Sequence, residues 1–202
     1  MTSGGRGWSA ERPPYSLAVA LLGALLVVLG FAAVDWSAGL SFRDVRRVVV
    51  ADPSAFAAIT QAYLKALYLP LIAVVVLAGL GGTGPAGRRV AAAAGVLAGG
   101  GLVAAVVWIE TGAVGTGSSR GDALPLLVAM VAVGVVAVAL AAGAFFDETA
   151  TLAGVAVLLH VYAVTDLSSG GVEPAAGAWL PVAGYVLLAV APALPHRGVG
   201  HA

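Results

Sequence analysis

Ser16–Val34 reads SLAVALLGALLVVLGFAAV, nineteen residues without a charged side chain or a proline. Crossing the hydrocarbon core of a bilayer as an α-helix takes about 20 apolar residues. The run also exceeds the ~7–15-residue apolar core of a secretory signal peptide, so it reads as a retained first helix. Five further stretches have the same character: Ala62–Leu80, Val90–Ile109, Leu124–Phe146, Thr151–Thr165 and Ala178–Leu194. The expected fold is therefore all-α, a polytopic membrane bundle of six helices. Residues 1–15 form a polar tail, 16–195 the membrane domain and 196–202 a second tail.

Composition supports a lipid solvent. Hydrophobic residues make up 60% of the 202, charged residues 10%, and the mean hydropathy is +1.01. Soluble domains run at about 45–50% apolar and about 25% charged. A net charge of zero gives no reason to expect a nucleic-acid partner. The absence of cysteine removes disulfides, thiolate metal sites and a thiol nucleophile. One lysine against nine arginines, amid abundant Ala, Gly and Val, points to a GC-rich bacterial genome and hence to the bacterial cytoplasmic membrane.

Aromatic residues sit near the ends of the runs, as expected of side chains that favour the membrane interface. Trp36, Tyr63, Tyr68, Trp108, Tyr162 and Trp179 fall on one side of an up-down bundle. Basic residues divide five and five between the sides, so they do not set the orientation. The paired Arg88 and Arg89 in a compact loop favour cytoplasmic termini. The first, third and fifth runs each end in an acid before small residues, at Asp35, Glu110 and Asp166. A repeated hairpin could write that pattern, but so could the ordinary exit of helices from a membrane.

The first loop predicts a short amphipathic helix at the interface. Ser41 and Asp44 stand at capping-box spacing. Phe42, Val45, Val48 and Val49 then recur on one face, opposite Arg43, Asp44, Arg46 and Arg47. Asp52 and Pro53 restart a helix. The arginines could dock a partner or an anionic head group, or the helix could simply shield the bundle.

Ionisable groups inside a bilayer are costly and call for a role. His160 is the clearest one here: a relay or ligand-binding residue with Asp166, Tyr162 and Glu110 as neighbours if the helices pack suitably or, more plainly, a neutral histidine hydrogen-bonded to a facing helix. Asp35, Glu110, Asp166 and Arg43 would have to converge for lipid-modifying chemistry. Gly95 and Gly99 form a small-xxx-small pair suited to close helix packing. Pro70 should distort its helix. No residue pattern implies a cofactor, a metal site or a catalytic set. The expected function is a non-enzymatic structural or accessory subunit, in lipid with a membrane-protein partner or further copies of itself. The alternative is a small transporter or channel with a pathway near His160, and the remote one a lipid-modifying enzyme.

Overall fold

The computed structural model describes residues 14–110 and 149–194; the expected segment Leu124–Phe146 lies outside them. All regular structure there is helical. In chain order the elements are α1 (Pro14–Ala32), α2 (Phe42–Ala51), a 3-10 turn (Pro53–Ala55), α3 (Ala58–Gly81), α4 (Pro85–Glu110), α5 (Thr149–Ser169) and α6 (Ala176–Val190). Four of the described helical stretches are long and apolar enough to cross a membrane: Tyr15–Ala32, Ala58–Gly81, Thr149–Ser169 and Ala176–Ala193.

α1, α3, α5 and α6 form the body, and α4 packs back on α3. Two constant sums fix the register of antiparallel pairs. Gly23 meets Gly184 and Gly30 meets Gly177 across α1 and α6. Tyr63 meets His160 and Ala57 meets Asp166 across α3 and α5. The α1–α6 approach is backbone on backbone. A methyl added at Gly184 would sit 2.5 Å from the Gly23 carbonyl oxygen, and one at Gly30 would sit 2.5 Å from the Pro181 ring. Small residues allow such proximity, which is how helices gain contact in lipid.

Gly95 faces Leu77 across α3 and α4, where an added methyl would stand 3.8 Å from the leucine methyls. That is ordinary contact; closer glycine approaches lie between α1 and α6, and at Gly79 of α3 against Leu188 of α6. The Gly99 side of the pair lies outside the described side chains.

Local chemistry sets the helix ends. α5 continues past Thr165 because Leu167 is buried and the helix closes two residues later. Gly171, at φ +85°, closes it: its N–H donates to the Ser168 carbonyl, and Val172 N–H donates to Leu167. This is a Schellman cap, with Leu167 and Val172 packed in the same cluster. α1 ends where Trp36 Nε1 donates to the Gly30 carbonyl at 2.6 Å, satisfying an acceptor of the last turn. α3 opens before Ala62 because the Asp166 carboxylate accepts from Ala57 N–H at 2.9 Å.

Pro70 is accommodated by a π-helical turn at Tyr63–Leu67. Proline offers no N–H to the carbonyl four residues back and crowds it. A widened turn just upstream is one way a helix absorbs that disruption.

α2 lies across the end of the body formed by the end of α1, the start of α3, the end of α5 and the start of α6, here termed the capped end. Phe42, Val45 and Val49 are buried against Trp36, Tyr63, Leu64 and Val164. Val48, expected on the same face, is exposed. The Ser41–Asp44 capping box forms in full: Asp44 N–H donates to Ser41 Oγ, and the Ser41 N–H and hydroxyl donate to Asp44 Oδ2. The Ser41 hydroxyl, then its N–H, hold the exposed Asp44 carboxyl below the usual carboxylate range.

Candidate functional site

His160 lies on the inward face of α5 with no solvent exposure. Alanines at 153, 156 and 163 on that face are also buried, so α5 approaches its neighbours closely and one large polar ring fills the space. Both ring nitrogens are engaged. Nε2 is 2.7 Å from the carbonyl oxygen of Ala178 on α6, and Nδ1 is 2.7 Å from the hydroxyl of Tyr63 on α3. A carbonyl can only accept, which assigns the proton to Nε2 and leaves Nδ1 to accept from the Tyr63 O–H. The imidazole in this arrangement is the neutral tautomer. It joins three helices by two hydrogen bonds.

Aromatic rings enclose it. Phe31, Trp36, Tyr63 and Tyr185 all meet His160 edge-on, with centroids 5.6, 5.3, 5.8 and 6.2 Å away. Phe42 of α2 closes the layer from the capped end, packing on Phe31, Trp36 and Tyr68 at 4.9, 4.6 and 4.8 Å. The histidine is thus a member of the core, roofed by α2.

Two of the neighbours named from sequence, Asp166 and Tyr162, do not gather around it. Asp166 is committed to the Ala57 N–H, where it caps α3. Tyr162 is 46% exposed on the outer face of α5. Asp35 is exposed and offers its backbone carbonyl to Gly177 N–H at 3.0 Å. The Glu110 side chain lies outside the described ones. Asp35 and Asp166, which close two of the apolar runs in the same way along the sequence, therefore do different work. Arg43 and Arg47 are exposed on α2, and Arg47 pairs with Asp44 at 3.4 Å. Arg46 is partly buried at the edge of the same helix. Among the described residues, no three His, Asp or Glu side chains gather where they could share a metal ion.

Sequence reading missed the residues that hold His160. Tyr63 and Ala178 lie 97 and 18 residues away along the chain. Tyr63 and Trp36, read as interface markers, are buried, whereas Tyr162 and Trp179 are exposed. The signal that could have found Tyr63 was its position seven residues before Pro70, one turn from the expected distortion.

No family model matches the chain, and searches of curated proteins and of solved structures find no significant match.

Proposed function

We propose that the chain is a multi-pass protein of the bacterial cytoplasmic membrane and a non-catalytic structural or accessory subunit of a larger membrane complex. The membrane reading draws on the outward side chains. Leu21, Leu22, Leu25 and Val28 project from α1, and Leu158 from α5 is 71% exposed. Water would make such a surface an aggregation liability, whereas lipid is its natural solvent.

The helix ends support a reading with six crossings. α4 runs back along α3 toward the capped end, while α5 starts at the opposite one. The intervening residues thus connect opposite ends, and Leu124–Phe146 contains 23 residues, enough for a single crossing. In this reading both termini share one side with Arg88 and Arg89, which favours the cytoplasm. α2 then lies at the outer surface, with Arg43 and Arg47 toward water and head groups. The arrangement is testable because the chain has no cysteine. Single cysteines at the exposed Ala55 and Ala86 report opposite ends. An impermeant maleimide applied to intact cells should label Ala55→Cys and spare Ala86→Cys; the reverse would invert the topology.

The observation that carries the non-catalytic reading is the condition of His160. Both nitrogens are spent on hydrogen bonds between helices, and the ring is sealed from solvent. A transport pathway or a general base at His160 would need substrate or water to reach the ring, which is fully buried. Affinity purification of the tagged protein from its native membrane in mild detergent, followed by mass spectrometry, tests the subunit role. A stoichiometric partner protein is the expected result. Recovery of the chain alone would overturn the accessory reading.

A further inference from the structure

α2 carries its arginines on one flank. Phe42, Val45 and Val49 turn inward, while positions 43, 46, 47 and 50 recur at the three- and four-residue spacing of a single stripe. Arg43, Arg47 and Val50 are exposed along it, and Arg46 is partly buried where the stripe meets the body. Asp44 falls outside the stripe, and its carboxylate accepts from the Ser41 hydroxyl at 2.6 Å and the Ser41 N–H at 3.2 Å. Arg47 reaches it through one nitrogen at 3.4 Å, and Arg43 has no ion-pair partner among the described residues. Apolar side chains around the helix are uncovered as well: Val48 and Val50 on α2, Leu40 before it and Ile59 after it. A helix with arginines and valines both exposed suits the plane of lipid head groups, where phosphate meets the cations and acyl chains meet the valines.

We propose that the Arg43–Arg47 pair of α2 binds the phosphate of an anionic phospholipid. The inference rests on the membrane reading above. α2 lies across the capped end of the body, so the phosphates of the adjoining leaflet stand at its level. Two guanidinium groups one turn apart offer planar forks to one set of phosphate oxygens, a geometry that arginine holds by paired N–H bonds. A zwitterionic lipid offers the same phosphate but brings an ammonium group, which the second guanidinium repels. An acidic lipid brings none, and selectivity for net charge follows. The other exposed acids of this end, Asp35, Asp52 and Glu173, lie in the connections between helices. The attraction is therefore local to the pair and not a field of the whole end.

Native mass spectrometry of the full chain in an uncharged detergent tests the site, with phosphatidylglycerol and phosphatidylcholine of identical acyl chains as probes. The wild type should bind phosphatidylglycerol more tightly. In Arg43→Gln that preference should fall about fivefold, the share of one basic residue at a lipid surface. Arg43→Lys keeps the charge and should keep most of the preference. Arg43 makes no hydrogen bond or ion pair among the described residues, so Arg43→Gln should fold and melt like the wild type in lipid-free detergent. Equal binding of the two lipids by the wild type would overturn the site and leave the membrane reading intact. A preference unchanged in both Arg43→Gln and Arg47→Gln would also overturn it, by moving the acidic lipid elsewhere on the protein. Recovery of the chain in the soluble fraction without detergent would instead overturn the membrane reading, and the site with it.

Discussion

Along the seam between α1 and α6, the backbones of Gly23 and Gly184 nearly touch and no side chain intervenes. In the layer beneath α2, the neighbouring α3 and α5 are held apart by Tyr63, His160 and the rings around them. The seam gains its contact from what is missing, so any added atom must push two backbones apart. The layer gains specificity from the His160 ring, bonded at both nitrogens, so it is harmed by removal. One body thus contains two packing solutions suited to an apolar surrounding: close backbone approach at the glycine seam, and interhelical hydrogen bonds at the buried histidine.

The largest effect is expected in the seam. Gly184→Leu should cost about 4 kcal/mol or prevent folding, because its first side-chain atom meets backbone on α1. Gly154→Ala on α5, where an added methyl meets nothing within 4 Å, should be neutral or stabilising by up to about 1 kcal/mol. Denaturant unfolding in detergent compares the two, and equal losses would break the distinction. In the layer, His160→Ala should cost about 3 kcal/mol, from the space left and the stranded Tyr63 hydroxyl. Tyr63→Phe keeps the ring and should cost about 1–2 kcal/mol by leaving Nδ1 unpaired. If Tyr63→Phe proved neutral, the bond would not hold the layer together.

At the edge of the layer, Asp166→Ala should cost about 1 kcal/mol by exposing the first turn of α3, with faster amide exchange at Ala57 as its local signature. The smallest effect belongs to Asp44. Its folded pKa is depressed, chiefly by the Ser41 hydroxyl, so its contribution is present above the unfolded value of about 3.9 and is lost as pH falls through the lower folded value. Amide exchange within α2 should therefore rise on acidification below about pH 4 in the wild type. Asp44→Asn should flatten that pH dependence, and an unchanged profile would remove the capping box as its source.

What sequence made legible was local. The apolar runs marked the four membrane-length helices because hydropathy needs no knowledge of partners. Ser41 and Asp44 announced their capping box because both halves lie within one turn. Gly23 and Gly30 share their seven-residue spacing with Gly177 and Gly184, yet nothing along the chain says that these two pairs meet. His160 stood out as a buried ionisable group, but its partner Tyr63 looked like an interface aromatic. The acids fared similarly: Asp35 and Asp166 look alike in sequence, and only the fold separates an exposed side chain from a helix cap.

The central claim is that the His160 layer is sealed and structural. Ala163 lies fully buried on α5, one turn from His160, and Ala55 is exposed at the capped end. Small charged thiol reagents applied to membranes carrying Ala163→Cys or Ala55→Cys test the claim directly. The account predicts rapid modification at position 55 and none at 163 while the protein remains folded. Modification at 163 at a comparable rate would contradict it, and would show a water-filled route to the histidine.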